Sequence, residues 1–103
     1  MTIHEEEVSK SKYPDRWSRD LVEGTSGFSI GVAEYHAMEF GALQVHEDQE
    51  AVYVVSGIGE IRIGDAVQAI RPGSAAYIPP KTAHATRRTG DVSVKVVYAH
   101  GAV

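Results

Sequence analysis

Gln44-Val45-His46-Glu47-Asp48-Gln49-Glu50, followed further along by Pro79-Pro80-Lys81-Thr82-Ala83-His84, is the pair of segments on which the reading of this chain turns. In extended backbone, successive side chains point to opposite faces, so Gln44 and His46 share a face. Glu50 keeps the same parity if the pleat resumes after a short turn. His84, distant in sequence, can close the set. Two imidazoles and a carboxylate are the ingredients of a facial triad, which holds a divalent transition metal and leaves positions open for substrate or oxygen. The plainer alternative is that each of these residues sits in solvent on a surface turn.

Outward from these segments, short apolar runs alternate with turn residues. Residues 28–35, 42–46, 51–56, 60–63, 67–70, 75–78 and 92–99 read as strands, split by Gly41, Gly57, Gly59, Gly64-Asp65, Pro72-Gly73, Pro79-Pro80 and Gly90-Asp91. Many short, closely spaced strands without helical periodicity predict an all-β sandwich or barrel. The last run alternates most clearly, with Val92, Val94, Val96 and Tyr98 on one face and Ser93 and Lys95 on the other, which places one face on a core. Gly64-Asp65 suits a hairpin, and Arg71-Pro72-Gly73 suits a type II turn with glycine at positive φ. The first dozen residues are polar and Pro14 breaks the chain before Trp17, so residues 1–15 read as a flexible N-terminal arm.

The whole chain, 103 residues, is expected to be a single domain, and a domain of this size buries only about two-thirds of its unfolded surface, so a homodimer is expected. The net charge of −4 argues against a nucleic-acid surface, which normally carries a basic footprint. The absence of cysteine removes disulfides and thiolate ligands and suits a reducing cytoplasm. No basic segment precedes an apolar run, and no apolar stretch approaches about 18 residues, so neither secretion nor a membrane partner is expected. A phosphate loop of the Walker type, a G-x-S-x-G elbow and a thiol nucleophile are all missing, which leaves metal chemistry or histidine and glutamate acting as acid and base.

The two segments and their surroundings resemble the cupin family. Its first motif has the form G-x5-H-x-H-x3,4-E-x6-G, and here His46 fills the second histidine slot, with Glu50 and Gly57 at the required spacings. Its second, G-x5-P-x-G-x2-H-x3-N, is matched by Gly73, Pro79 and His84. Gln44 stands in the first histidine slot, Met38 in the opening glycine slot, Lys81 in the internal glycine slot and Arg88 in the final asparagine slot. The resemblance covers residues 28 to 99. It implies a small antiparallel jelly-roll barrel that binds one divalent transition metal ion (zinc, iron, manganese or nickel) through His46, Glu50 and His84. Gln44 would be the fourth ligand or a close neighbour.

An amide oxygen is a neutral, weaker donor than imidazole, so Gln44 either ligates weakly or bonds a substrate. The resemblance implies a metal-dependent enzyme of oxygenase, isomerase or lyase type acting on a small polar molecule. The alternative is a module that binds or senses a small ligand. A sensor usually needs an attached output domain, and none is read here, which favours the enzyme. His100 is expected to be structural or solvated and His4 to lie in the arm. His36 and Arg62 are placed on the surface or, less favourably, in the pocket.

Overall fold

The computed structural model describes residues 1–103. Nine strands follow a single 3-10 turn at Glu5–Glu7: β1 Ser11–Lys12, β2 Arg16–Glu23, β3 Ser29–Tyr35, β4 Gln49–Ser56, β5 Gly59–Ile63, β6 Ala66–Ile70, β7 Ala75–Ile78, β8 His84–Arg88 and β9 Val94–Gly101. Every pairing between them is antiparallel. Hydrogen bonding divides them between two sheets, one in the order β1-β2-β3-β9-β4-β7 and the other β6-β5-β8. This all-β arrangement fits the jelly roll that the resemblance implied.

Alternation places the core. On β4, Glu50, Val52 and Val54 are buried while Ala51, Tyr53 and Val55 face out. On β9, Val94 and Val96 are buried and Tyr98 packs against them. These valines meet Ala33 of β3, Ile61 of β5, Ile70 of β6 and Ile78 of β7, so the inner faces of both sheets share one apolar cluster. β-branched residues dominate it, as a pleated, one-sidedly buried surface favours.

The turns follow the sequence. Gly64, at φ 59°, occupies the first position of a two-residue loop between paired Ile63 and Ala66, as II′-like hairpins require. Gly73 has φ 92°, and Ser74 N–H donates to the Arg71 carbonyl at 2.8 Å, closing the expected Pro-Gly turn.

Two expectations change. Residues 42–46 form no strand; only Gln44 is paired, in an isolated bridge to His84. Leu43 and Val45 are exposed, so this segment has no apolar face to bury and is held only at intervals, by the bridge and by Lys81 N–H donating to the His46 carbonyl. β9 also runs on to Gly101, two residues past the expected end, and Val92 lies outside it in solvent. Within residues 1–15, Ser11 and Lys12 pair with β2, and Glu5 lies 2.8 Å from Lys95 Nζ. No helix is long and apolar enough to cross a membrane.

Candidate metal centre

Glu50 is the hub. It shares the inward parity of Val52 and Val54, and the β4–β9 register sets His100 directly opposite it. His84 opens β8, and the Gln44 bridge holds its backbone through two hydrogen bonds, 2.9 and 3.0 Å. His46 sits in the loop before β4. Glu50 Oε1 is 2.9 Å from His46 Nε2, 3.5 Å from His84 Nε2 and 3.6 Å from His100 Nε2. The ring centroids of His84 and of His100 are each 4.9 Å from that of His46.

The far nitrogen of each ring faces an acceptor. His84 Nδ1 is 2.9 Å from the Thr82 carbonyl. His46 Nδ1 is 3.2 Å from the Asp48 carbonyl, and Asp48 Oδ1 lies 2.6 Å away, off the line of a hydrogen bond. His100 Nδ1 is 3.0 Å from Asp48 Oδ2. A carbonyl or a carboxylate only accepts, so each Nδ1 donates, and each Nε2 faces the shared Glu50 carboxylate, where it either shares a proton with it, as in the 2.9 Å contact of His46, or offers a lone pair to a cation. Inward lone pairs beside a carboxylate oxygen repel one another unless a proton or a cation lies among them. This donor set fits a divalent metal, and oriented outer partners of this kind are what metal-binding histidines usually have.

The carboxylate and the rings also stabilise each other's charged forms. Burial opposes the charged carboxylate of Glu50, yet the hydrogen bond from His84, the charge of His100 and the remaining histidine contacts hold it below the usual carboxylate range. Burial likewise disfavours charged His84, but the Glu50 carboxylate and the Thr82 carbonyl together raise it above the ordinary imidazole value.

A cavity of about 160 Å³ adjoins the centre, walled by Tyr13, Arg16, Ser18, Asp20, Ala33, Tyr35, Gln44, Glu50, Tyr98 and His100. Arg16 reaches into it, held by Asp15 at 2.9 Å and lying over the Tyr13 ring. Gln44, turned with its amide oxygen to Arg16, accepts from both terminal guanidinium nitrogens at 3.3 and 3.2 Å. The Tyr98 hydroxyl donates to Asp20 at 2.5 Å. Its ring crosses Gly31, where a Cβ would collide with it. Behind His100 and Asp48 a more open cavity of about 330 Å³ is lined by Phe28, Ser29 and Glu23, among others.

The structure brings His46, Glu50 and His84 together and sets Gln44 at the rim of the same cavity. It leaves His36 exposed, His4 accepting from Glu6 N–H, and Arg62 donating to the Gly64 carbonyl. It adds two residues that sequence reasoning missed, His100 and Asp48. The signal for His100 was present, because the alternation of Val94, Val96 and Tyr98 continues onto it. Asp48 had none, since its role depends on a fold-level meeting with His100.

A two-sheet β domain with imidazoles and a carboxylate converging between its strands is the architecture of a cupin. The sequence pattern of the family described as cupin domain, of the cupin-2 type, matches residues 31–100, and the chain belongs to that family. Protein SchB of Streptomyces halstedii is 36% identical over 78 residues, covering 75% of this chain and 56% of that protein, so the match spans little more than half of that relative. Among solved structures, a predicted oxalate decarboxylase from Thermotoga maritima superposes with a TM-score of 0.87 at 12% identity, covering 100% of each chain. The polyketide cyclase RemF from Streptomyces resistomycificus gives 0.81 at 17% identity, over 97% of this chain and 78% of that one. A cupin-2 domain from Rhodospirillum rubrum gives 0.82 at 19% identity, over 100% and 75%.

Proposed function

We propose that this cupin is a metal-dependent enzyme acting on a small polar, oxygen-bearing molecule, with His46, Glu50 and His84 as metal ligands and Gln44 beside them. The observation that carries the reading is the convergence of inward-turned Nε2 atoms on the buried Glu50 carboxylate, at the wall of a small polar cavity. Zinc, iron, manganese or nickel bound there would supply Lewis acidity or an oxygen-activating centre.

The chain's own groups prepare the cavity for such a ligand. Thr82 and Asp48 fix the rings. Burial pushes the Tyr35 hydroxyl up to about 12, so it stays a protonated donor throughout the neutral range. Arg16 offers N–H groups, and because Asp15 offsets much of its charge, the cavity suits a polar group better than a strongly anionic one. Neighbours named as a polyketide cyclase and a predicted oxalate decarboxylase support turnover over mere binding. The closed jelly-roll barrel and a homodimer formed through the outward face of β4 and β7 complete the proposal.

The test is metal uptake followed by a substrate screen. Elemental analysis after reconstitution should find close to one divalent ion per chain, and His84→Ala should lose it while keeping a β-rich circular dichroism spectrum. The loaded protein should then turn over at least one member of a panel of small hydroxy acids, oxo acids and enolisable ketones, with no turnover in His84→Ala. Uptake with binding but no turnover across the panel would make this a ligand-binding module. No uptake of any of the four metals would remove the metal reading altogether.

A further inference from the structure

The first motif lacks a histidine at Gln44, and β9 brings an unassigned one to the same carboxylate. Resting on the metal reading above, we infer that His100 is the third imidazole ligand, supplied through Nε2 by β9, and that Gln44 is not a ligand but the rim partner of Arg16.

Four observations converge. The register pairs Glu50 with His100 across β4 and β9, so the two side chains rise from the same face of the sheet at adjacent positions. His100 Nε2 stands 3.6 Å from Glu50 Oε1, against 3.5 Å for the motif residue His84, so distance to the carboxylate does not separate the two, although His100 lies outside the mutually adjacent donor group of His46, Glu50 and His84 and its ring must move inward to join them. Asp48 Oδ2 takes the Nδ1 proton of His100 while the Asp48 carbonyl faces Nδ1 of His46, which makes this one residue the orienting partner of two rings. His100 is also mostly shielded, with 21% of its side chain exposed, and Nδ1 is its only ring nitrogen in a hydrogen bond. Paired only at Nδ1, the ring leaves Nε2 facing the Glu50 carboxylate, where a cation could be held between them.

Gln44 behaves in the opposite way. Its amide oxygen, the only atom with which it could ligate a metal, is taken by the two guanidinium nitrogens of Arg16. Three imidazole nitrogens and one carboxylate oxygen form a complete N3O set, and positions toward the cavity remain for water or substrate. A competing trio exists in His46, Asp48 and His100, whose donor atoms also lie within 4.8 Å of one another. That trio would use Asp48 as a ligand and leave His84 out.

Metal titration with zinc and cobalt(II), together with X-ray absorption at the metal edge, separates these arrangements in the full chain. The wild type should show three imidazoles. His100→Ala should show two and bind more weakly than the roughly 10- to 100-fold loss typical of an altered outer partner. His100→Asn, which keeps a polar side chain of smaller size, should behave like His100→Ala, so a folding defect in one variant does not decide the matter. Gln44→Ala should leave affinity within about threefold, well under that range. If the wild type binds metal with two imidazoles, or His100→Ala and His100→Asn keep wild-type affinity, the inference is overturned while the metal reading stands. If Gln44→Ala falls as far as His100→Ala, Gln44 is a ligand and the assignment of its role is wrong. A wild type that takes up no metal overturns both.

Discussion

Tyr35 and Tyr98 show how single residues on the cavity wall tie the stability of the fold to pH. Burial raises Tyr35 to about 12, and burial together with the hydrogen bond to Asp20 raises Tyr98 further. A group whose folded-state value lies above its unfolded value, near 10, contributes its full stability below that unfolded value and loses it as pH rises toward the folded one. Stability should therefore fall steeply above about pH 10. Thermal unfolding followed at pH 9 and pH 11 should show a smaller drop in Tm for Tyr35→Phe than for the wild type; an equal drop would mean that Tyr35 ionises freely in the fold. At this scale the sequence was informative for His46, Glu50 and His84, because a spacing motif encodes them. It was less so for His100, whose parity was visible but whose partner lay on another strand. For Asp48 it was silent, since acidic residues on turns are ordinarily solvated and only tertiary contact made this one an orienting group.

Among the elements, the turn between β7 and β8 carries a departure from the family pattern with a measurable consequence. Lys81 occupies the motif's internal glycine slot and adopts φ 59° there, while its N–H donates to the His46 carbonyl at 2.8 Å. The left-handed region costs a residue with a Cβ about 1–2 kcal/mol, and replacing it by glycine adds unfolded-chain entropy worth about 0.4–1 kcal/mol. The first effect wins. Lys81→Gly should raise stability by about 0.5 kcal/mol in chemical denaturation, the ion pair to Glu47 being too exposed to matter, whereas Lys81→Val should lower it; a destabilised Lys81→Gly would show that the turn is not strained. The strands that sequence reading found, β3 to β7 and β9, are those that each contribute at least one residue to the common core. It missed β2, Arg16–Glu23, because that strand has no fully buried residue and its charged side chains mimic a loop. It missed β8 because His84–Arg88 read as a motif tail, although His84, Ala85 and Thr86 are all buried. Conversely, residues 42–46 had a strand-like composition but nothing to pack against.

For the molecule as a whole, the outer face of the larger sheet carries exposed apolar surface beside an open edge. β7 ends that sheet, so its outer edge has unpaired backbone groups, and edges of this kind are usually blunted or covered. On the same outward face Tyr53 is 52% exposed, Val55 46% and Tyr77 56%, and the register sets Ala51 against Tyr77 and Tyr53 against Ala75. Scattered apolar residues need no explanation, but these are contiguous across two strands and lie beside an open edge. Tyrosine suits such a surface because its ring buries area while its hydroxyl stays paired, as the Tyr77 hydroxyl does by donating to Gln49 at 2.9 Å. A second copy related by a two-fold axis would cover the patch and the edge together, and a stable pair needs about 800 Å² from each partner. Light scattering at tens of micromolar should therefore give a dimer. Tyr53→Glu combined with Tyr77→Glu should give a monomer with unchanged metal uptake, because the proposed ligand Glu50 lies on the inward face of β4. A wild-type monomer at that concentration, or a double variant that remains dimeric, would place the interface elsewhere or remove it.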